Sequence, residues 1–266
     1  MSGFIRVLRL LLLILLSLFI IICGTLIKFL PLAPYRKLRL QTRGMQWWAQ
    51  AGCRILGIHI VRTGSYRLDD VFFIVSNHCS YIDILVIGSM VQSVFVSKND
   101  VASWLFLGRM VRLAGTIFVN RESKIASVRV LETINERLRS GISVVVFPEG
   151  TTNNGLAMRD FKSTFFKAPI DSGVPILPVS IIYSHIEGMP VTPGTIDTVA
   201  WHSDMEFLSH FWNLLGIRRI DAHVHFSQSV HNFTEDRKVL ASKVFEKVRD
   251  GYNGNFCEEY TLGNAP

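Results

Sequence analysis

Val75-Ser-Asn77-His78-Cys-Ser80-Tyr-Ile-Asp83 sets an imidazole and a carboxylate five positions apart. Within one helix five residues turn about 500°, which leaves the two side chains roughly 140° apart and unable to meet. With His78 in a strand-to-helix turn and Asp83 in the first helical turn, they can. Such a pair makes a base: the carboxylate fixes one ring nitrogen and the other is free to take a proton. Asp83 also has a second reading, because Ser80-Tyr-Ile-Asp83 has the spacing of a capping box with Asp in the usual Glu position. The chain carries its own control. His231 and Asp236 repeat the spacing ahead of a terminal helix, where Thr234 and the acids read as ordinary helix-start residues.

The elements that must position these residues are legible past residue 60. Short apolar runs at 71–75, 93–97, 116–119, 142–147 and 174–181 read as buried strands. Between the third and fourth, Ile125, Val128, Leu131, Ile134 and Leu138 share one helical face, and Gly141 is placed to end that helix. The stretch from Trp201 to Gly216 is aromatic and irregular, 222–230 reads as a late strand, and Thr234 starts a last amphipathic helix to about Tyr252, followed by a loose tail. Alternating strands and helices with apolar strands predict an α/β fold, a mostly parallel central sheet flanked by helices. His78, Lys98, Arg121 and Phe147-Pro-Glu149-Gly150 each follow a strand, the edge where α/β sheets bind ligands.

The 266 residues are 49% hydrophobic and only 18% charged, with 28 Lys and Arg against 21 Asp and Glu. Soluble domains average about 25% charged residues, and disorder needs the opposite balance. Four scattered cysteines without a C-x-x-C pair exclude a disulfide scaffold and suit a reducing compartment. The excess hydrophobicity lies in an uncharged run of 18 residues, Leu10 to Ile27. It is the length of a short membrane span, too long for a usual signal h-region, and no A-x-A-like cleavage site follows, so a retained anchor is expected over a cleaved signal. Five positive residues follow the run and two precede it, which predicts the remainder on the cytoplasmic side of the cell inner membrane. Tyr35 to Gly57 reads as an amphipathic helix, either core-facing or lying at the headgroup boundary through Trp47 and Trp48. The expected division is 1–57 as membrane anchor and amphipathic helix and 58–266 as the catalytic domain. The basic balance points to anionic lipid, and no zinc-finger spacing or aromatic RNP-like block supports nucleic acid.

Other chemistries find no motif. There is no G-x-S-x-G, G-x-G-x-x-G or P-loop pattern. His223-Val-His225 can place two imidazoles on one strand face, but no acidic or thiol partner is evident, so no metal and no cofactor is expected. Cys79, next to His78, reads as a packing residue more than a nucleophile.

The blocks occur in order: Asn77-His78-x4-Asp83, Gly115-Thr-Ile-Phe-Val-Asn-Arg121, Val146-Phe-Pro148-Glu149-Gly150-Thr151-Thr152, and Val174-Pro175-Ile-Leu-Pro178. Together they closely resemble the glycerolipid acyltransferases over roughly residues 57–182. The resemblance implies O-acyl transfer from a thioester, acyl-CoA or acyl-carrier protein, to a hydroxyl of a lysolipid such as 1-acylglycerol-3-phosphate, with the acyl group passing directly to the acceptor. It implies His78 as general base, Asp83 as its orienting partner, Arg121 at the acceptor's phosphate, Glu149, Gly150 and Thr151 at the acceptor, and Pro175 near the donor. Lys98 and Lys162 stand where a basic residue would help hold substrate. Taken residue by residue, Arg121, Lys98 and Lys162 can also be surface charge, and Glu149 can serve a structural hydrogen bond. The chain departs from the family pattern at Thr152, where Arg or Ser is usual, and at Phe161-Lys-Ser-Thr164, where a Gly is usual. Trp201-His-Ser-Asp-Met-Glu-Phe207 resembles a segment of bacterial relatives, some acting on lyso-ornithine lipids. These departures leave the acceptor open. A membrane-anchored lipid-binding protein without catalysis is the alternative from another class, and an intact His78 and Asp83 argue against it.

Overall fold

The computed structural model describes residues 2–64, 70–99, 107–119, 124–231, 233 and 236–262. Two antiparallel helices, α1 (Ser2–Phe29) and α2 (Pro34–Leu56), precede a sheet ordered β1-β8-β6-β2-β5-β3-β4, with β7 paired on β6. The strands are β1 (Ile58–Gly64), β2 (Phe73–Ser76), β3 (Ser93–Lys98), β4 (Ile117–Val119), β5 (Ser143–Val146), β6 (Ile176–Ile186), β7 (Met189–Pro190) and β8 (Ile220–Phe226). The pairings β1–β8, β2–β5, β2–β6, β3–β4 and β3–β5 are parallel. Among the described strands, the pairings β6–β7 and β6–β8 are antiparallel. The mostly parallel α/β sheet expected from the sequence is thus observed. Its central strands are continuous apolar runs because both faces are covered. Phe73 and Val75 of β2, with Val144 and Val146 of β5, pack under α5 (Lys124–Arg139) and α8 (Arg237–Leu262). Ile74 and Val145 point the other way, to α2 and α3 (Ile82–Met90).

Several expectations shift by a residue or more. β1 is absent from the sequence reading. Gly141, in the left-handed region at φ 76, ends the α5 segment as expected. The buried stripe of that helix is Val130, Ile134 and Leu138, however, while Val128 is 57% exposed. Thr234 lies outside the described residues. Asp236 caps α8, its Oδ1 accepting the Lys238 N–H at 2.7 Å. The helix itself continues past Tyr252 to Leu262.

α1 is long and apolar enough to cross a membrane. It also lies against the α/β body. Trp48 of α2 donates to Ser17 at 2.9 Å, and Gly24 faces Leu113 of α4 (Leu107–Leu113). Arg9 donates to the backbone oxygens of Leu215 and Ile217. The opposite face exposes Phe4, Leu8, Leu11, Leu15, Phe19, Ile22, Leu26 and Phe29, at steps of three and four residues. At 1.5 Å per residue the 28-residue helix carries this stripe along about 40 Å.

Candidate active site

β2 ends at Ser76, and Asn77 pins that end to β6. Its side-chain amide donates to the Ile181 carbonyl at 2.9 Å and accepts the Ile181 N–H at 2.8 Å. The turn that follows carries His78 out of the sheet, and α3 starts four residues later. That geometry lets the His and Asp meet. His78 Nδ1 lies 2.8 Å from Asp83 Oδ2, in the first turn of the helix. The same Oδ2 accepts the backbone N–H groups of Cys79 and Ser80, each at 2.9 Å. The two sequence readings of Asp83 are therefore both satisfied by one oxygen. It closes the helix start, as the back-bond of a capping box does, and it orients the imidazole. Ser80 contributes no reciprocal bond; its Oγ is buried without a partner among the described residues.

The other oxygen of Asp83 reveals a residue that spacing did not. Tyr183 of β6, wholly buried, donates its O–H to Asp83 Oδ1 at 2.6 Å. Burial first, then the Asp83 charge, pushes the Tyr183 phenol well above its usual pKa, so it stays a donor. Asp83 itself is 0% exposed and holds five donors around its carboxylate, the fifth being the Cys79 thiol at 3.9 Å, which is how a buried charge is tolerated. Its nearest hint in the sequence is a tyrosine in an apolar strand, since a buried phenol needs a partner. Tyr183→Phe leaves Oδ1 with only the weak Cys79 thiol donor, 3.9 Å away. The carboxylate then pulls harder on the imidazolium, and the acid limb of the activity–pH profile should move to higher pH. The shift is about one pH unit for each 1.4 kcal/mol that reaches the ring. A profile superimposable on wild type would remove Tyr183 from the site.

His78 is held from three further sides. Its ring stacks on Phe147, centroids 4.0 Å apart and planes 12° from parallel. Its N–H donates to Glu149 Oε1 at 2.8 Å, and its carbonyl accepts the Asn153 N–H at 2.9 Å. With Nδ1 committed to Asp83, Nε2 makes no bond to any described residue, and the side chain keeps 16% exposure. A ring fixed in one tautomer, with its second nitrogen open at the carboxyl edge of the sheet, can take a proton from a bound hydroxyl.

Glu149 sits inside the loop. It is 2% exposed, and its Oε2 accepts Asn153 Nδ2 at 2.6 Å and the Arg159 N–H at 2.9 Å. Burial raises its pKa, opposed by these hydrogen bonds and by His78. Both oxygens are thus engaged by the protein, which matches the structural alternative read in the sequence. Glu149→Gln replaces one acceptor by a donor facing an N–H, and buried donors left unpaired cost about 1–3 kcal/mol. We expect a lower melting temperature and a fall in kcat, with KM for the acceptor nearly unchanged. A rise confined to acceptor KM would instead place Glu149 at the ligand.

Gly150 follows at φ 82, a left-handed turn that a side chain would strain, and it is buried beside the half-buried Thr151. Lys98 ends β3 and is exposed; Lys162 is exposed and bonds Pro148 through its backbone at 3.0 Å. In the order β2-β5-β3, His78, the 147–151 turn and Lys98 therefore reach the same edge of neighbouring strands. Arg121, two residues beyond β4, lies outside the described residues. Pro175 precedes β6 at the opposite edge, its carbonyl accepting the Phe73 N–H at 3.0 Å, which separates it from His78. Trp201 closes the other side, its N–H donating to the Cys79 carbonyl at 2.8 Å.

Cys79 is buried, and burial followed by the charges of Asp83 and Glu149 pushes its thiol well above the usual range. It remains a thiol at neutral pH and is a poor nucleophile. His225 of the His223/His225 pair bonds Thr63 Oγ1 at 2.9 Å, and no group of three potential metal ligands occurs among the described residues. His231 and Asp236 go separate ways: His231 Nε2 meets Ser229 Oγ at 2.8 Å, while Asp236 caps α8.

Residues 59–182 match the family model described as Acyltransferase. A lyso-ornithine lipid O-acyltransferase of Rhizobium meliloti is 32% identical over 211 residues, covering 76% of this chain and 72% of the relative. A 1-acyl-sn-glycerol-3-phosphate acyltransferase of Neisseria meningitidis is 29% identical over 199 residues, covering 73% and 74%. The crystal structure of the 1-acyl-sn-glycerophosphate acyltransferase from Thermotoga maritima shares the fold, with TM-score 0.64 at 22% identity over 94% of this chain and 97% of that one. With a buried carboxylate holding a histidine at the sheet edge and relatives aligned over most of both chains, this chain belongs to the lysolipid acyltransferase family.

Proposed function

We propose that the chain transfers a fatty acyl group from acyl-CoA or acyl-carrier protein to the hydroxyl of a lysolipid at the cytoplasmic face of the inner membrane. His78 Nε2 takes the acceptor's hydroxyl proton as the oxygen attacks the thioester carbonyl. Asp83 offsets the imidazolium charge. As the carbon–sulfur bond breaks, the ring returns its proton to the departing thiolate, and no acyl-enzyme forms. The observation that carries this reading is the open Nε2 of a ring whose Nδ1 is fixed by a buried carboxylate. Residues 1–57 deliver this edge to the lipid: Arg9 ties the start of α1 to the turn before β8, at the carboxyl end of the parallel strands.

For the acceptor we favour lyso-ornithine lipid. The Trp201–Phe207 segment bonds directly into the His78 turn and carries Asp204 and Glu206, both exposed and able to meet the side-chain ammonium of an ornithine headgroup. The relative so named aligns over most of the chain. A second reading, 1-acylglycerol-3-phosphate, rests on Arg121, since a guanidinium fork suits a phosphate. A panel of both acceptors with acyl-CoA and acyl-carrier protein, run on the detergent-solubilised chain and on Arg121→Ala, separates them. Turnover restricted to the phosphate acceptor, lost in Arg121→Ala through KM, would select the second reading. Absence of transfer to either would reject both.

A further inference from the structure

The opposite edge of the sheet carries a second basic feature. A groove of about 750 Å³ opens between α2 and the starts of β2, β3 and β5, at residues Val71, Gln92 and Ser143. Lys98 lies at, and His78 and Phe147 follow, the far ends of those same strands, so the groove is a strand's length from the catalytic edge, roughly 20 Å. Arg36, Arg39 and Arg43 line it from one face of α2, at steps of three and four residues. Like charges at that spacing repel, yet Asp70 is the only acid among the described residues of the lining. Neither Arg39 nor Arg43 has an ion-pair partner among the described residues. Gln46 and Gln92 add amides, and Gln92 is fixed by donating to the Arg39 carbonyl and to Thr42. The volume is that of a small-ligand site.

What lies beside the groove identifies the ligand class. Leu32, in the α1–α2 turn, forms part of its lining. That turn also exposes Phe29, 81% accessible, and Leu30, at the end of the apolar stripe of α1. An apolar surface adjoining a cluster of forked cations is complementary to a molecule with acyl tails and an anionic head. We propose that this groove binds the phosphate headgroup of an anionic membrane phospholipid while its tails lie along the α1–α2 turn. The site is separate from the acyl-transfer site and holds the chain on anionic bilayers in a fixed orientation. It rests on the reading that the exposed stripe of α1 faces lipid.

Phosphatidylcholine vesicles with and without phosphatidylglycerol, and inorganic phosphate as the free anion, serve as probes for the full-length protein. Wild type should bind better when phosphatidylglycerol is present. Basic residues near an anionic surface contribute about fivefold each, so Arg36→Gln/Arg39→Gln/Arg43→Gln should lose on the order of 100-fold of that gain. Native mass spectrometry should find phosphatidylglycerol retained on wild type and absent from the triple variant. The Arg→Lys triple variant keeps the charge and so controls for folding; it should still bind vesicles but lose the retained lipid, because ammonium groups lack the fork. Neutralising Arg62, Arg129 and Lys238, exposed and outside the groove, should cost little. Equal losses in that control would reduce the effect to net charge and overturn the site. Displacement of phosphatidylglycerol by equimolar inorganic phosphate would reassign the groove to the free anion and overturn the lipid reading. Turnover of dispersed acceptor in detergent is the independent readout: lost vesicle binding with unchanged turnover supports the groove and leaves the proposed reaction standing.

Discussion

His78→Ala should abolish acyl transfer while the protein stays folded. A positioned general base contributes about 10²–10⁴-fold, and an ordinary assay reports that loss as inactivity. The fold should survive because little else depends on the ring. Asp83 retains the Cys79, Ser80 and Tyr183 donors, and the backbone bonds of residue 78 to Glu149 and Asn153 do not involve the side chain. The stacking on Phe147 is lost, worth about 0.5–1.5 kcal/mol for an aromatic pair. His231→Ala is the matched control. That histidine has an acid at the same spacing but bonds Ser229, while its acid caps a helix. Its turnover should be nearly normal. The comparison is activity per folded molecule, with circular dichroism and membrane yield alongside. Wild-type turnover in His78→Ala would refute the mechanism regardless of family membership.

What the sequence displayed, and what it concealed, follows from where the information is held. The strands β2, β5 and β6 were legible because burial on both faces makes them continuous apolar runs. β1 is different. Past Ile58 its residues are largely exposed, and its partner is β8, more than 150 positions later, so nothing local marks Ile58–Gly64 as a strand. The α5 segment shows the same limit on a smaller scale. Val128 and Val130 are both apolar, and only packing against the sheet decides that Val130 is the buried one. At the site, the His78–Asp83 pair was legible because a turn and one helical start bring near neighbours together. Tyr183 was not, because it comes from a strand a hundred residues away. Nor could spacing choose between the two readings of Glu149. That choice needed the loop from Asn153 to Arg159, which has no periodicity and folds back to occupy both oxygens.

Asp83→Asn should lose most of the activity, and the way it fails separates holding the ring from charging it. Three donors converge on Oδ2, from His78, Cys79 and Ser80, while Oδ1 meets the Tyr183 hydroxyl and, at 3.9 Å, the weak Cys79 thiol donor. An asparagine amide placed with its nitrogen at the Oδ2 position would face two backbone N–H groups. The side chain will therefore turn its oxygen there and its nitrogen toward Tyr183, whose hydroxyl can accept. Nδ1–H of His78 keeps an acceptor, so tautomer and ring orientation survive. The missing element is the negative charge that offsets the imidazolium as the acceptor's proton arrives. Turnover should fall by on the order of 10²-fold or more, within the range a general base supplies. The acid limb of the residual activity should move to lower pH, because a nearby opposite charge that favoured the protonated ring is gone. Tyr183→Phe leaves that charge in place and less satisfied, and moves the limb the opposite way. Opposite shifts from two substitutions on the same carboxylate cannot arise from general loosening of the fold. If both variants move the limb in one direction, or Asp83→Asn keeps wild-type turnover, then Asp83 serves only to start α3, and the charge that supports His78 must come from elsewhere.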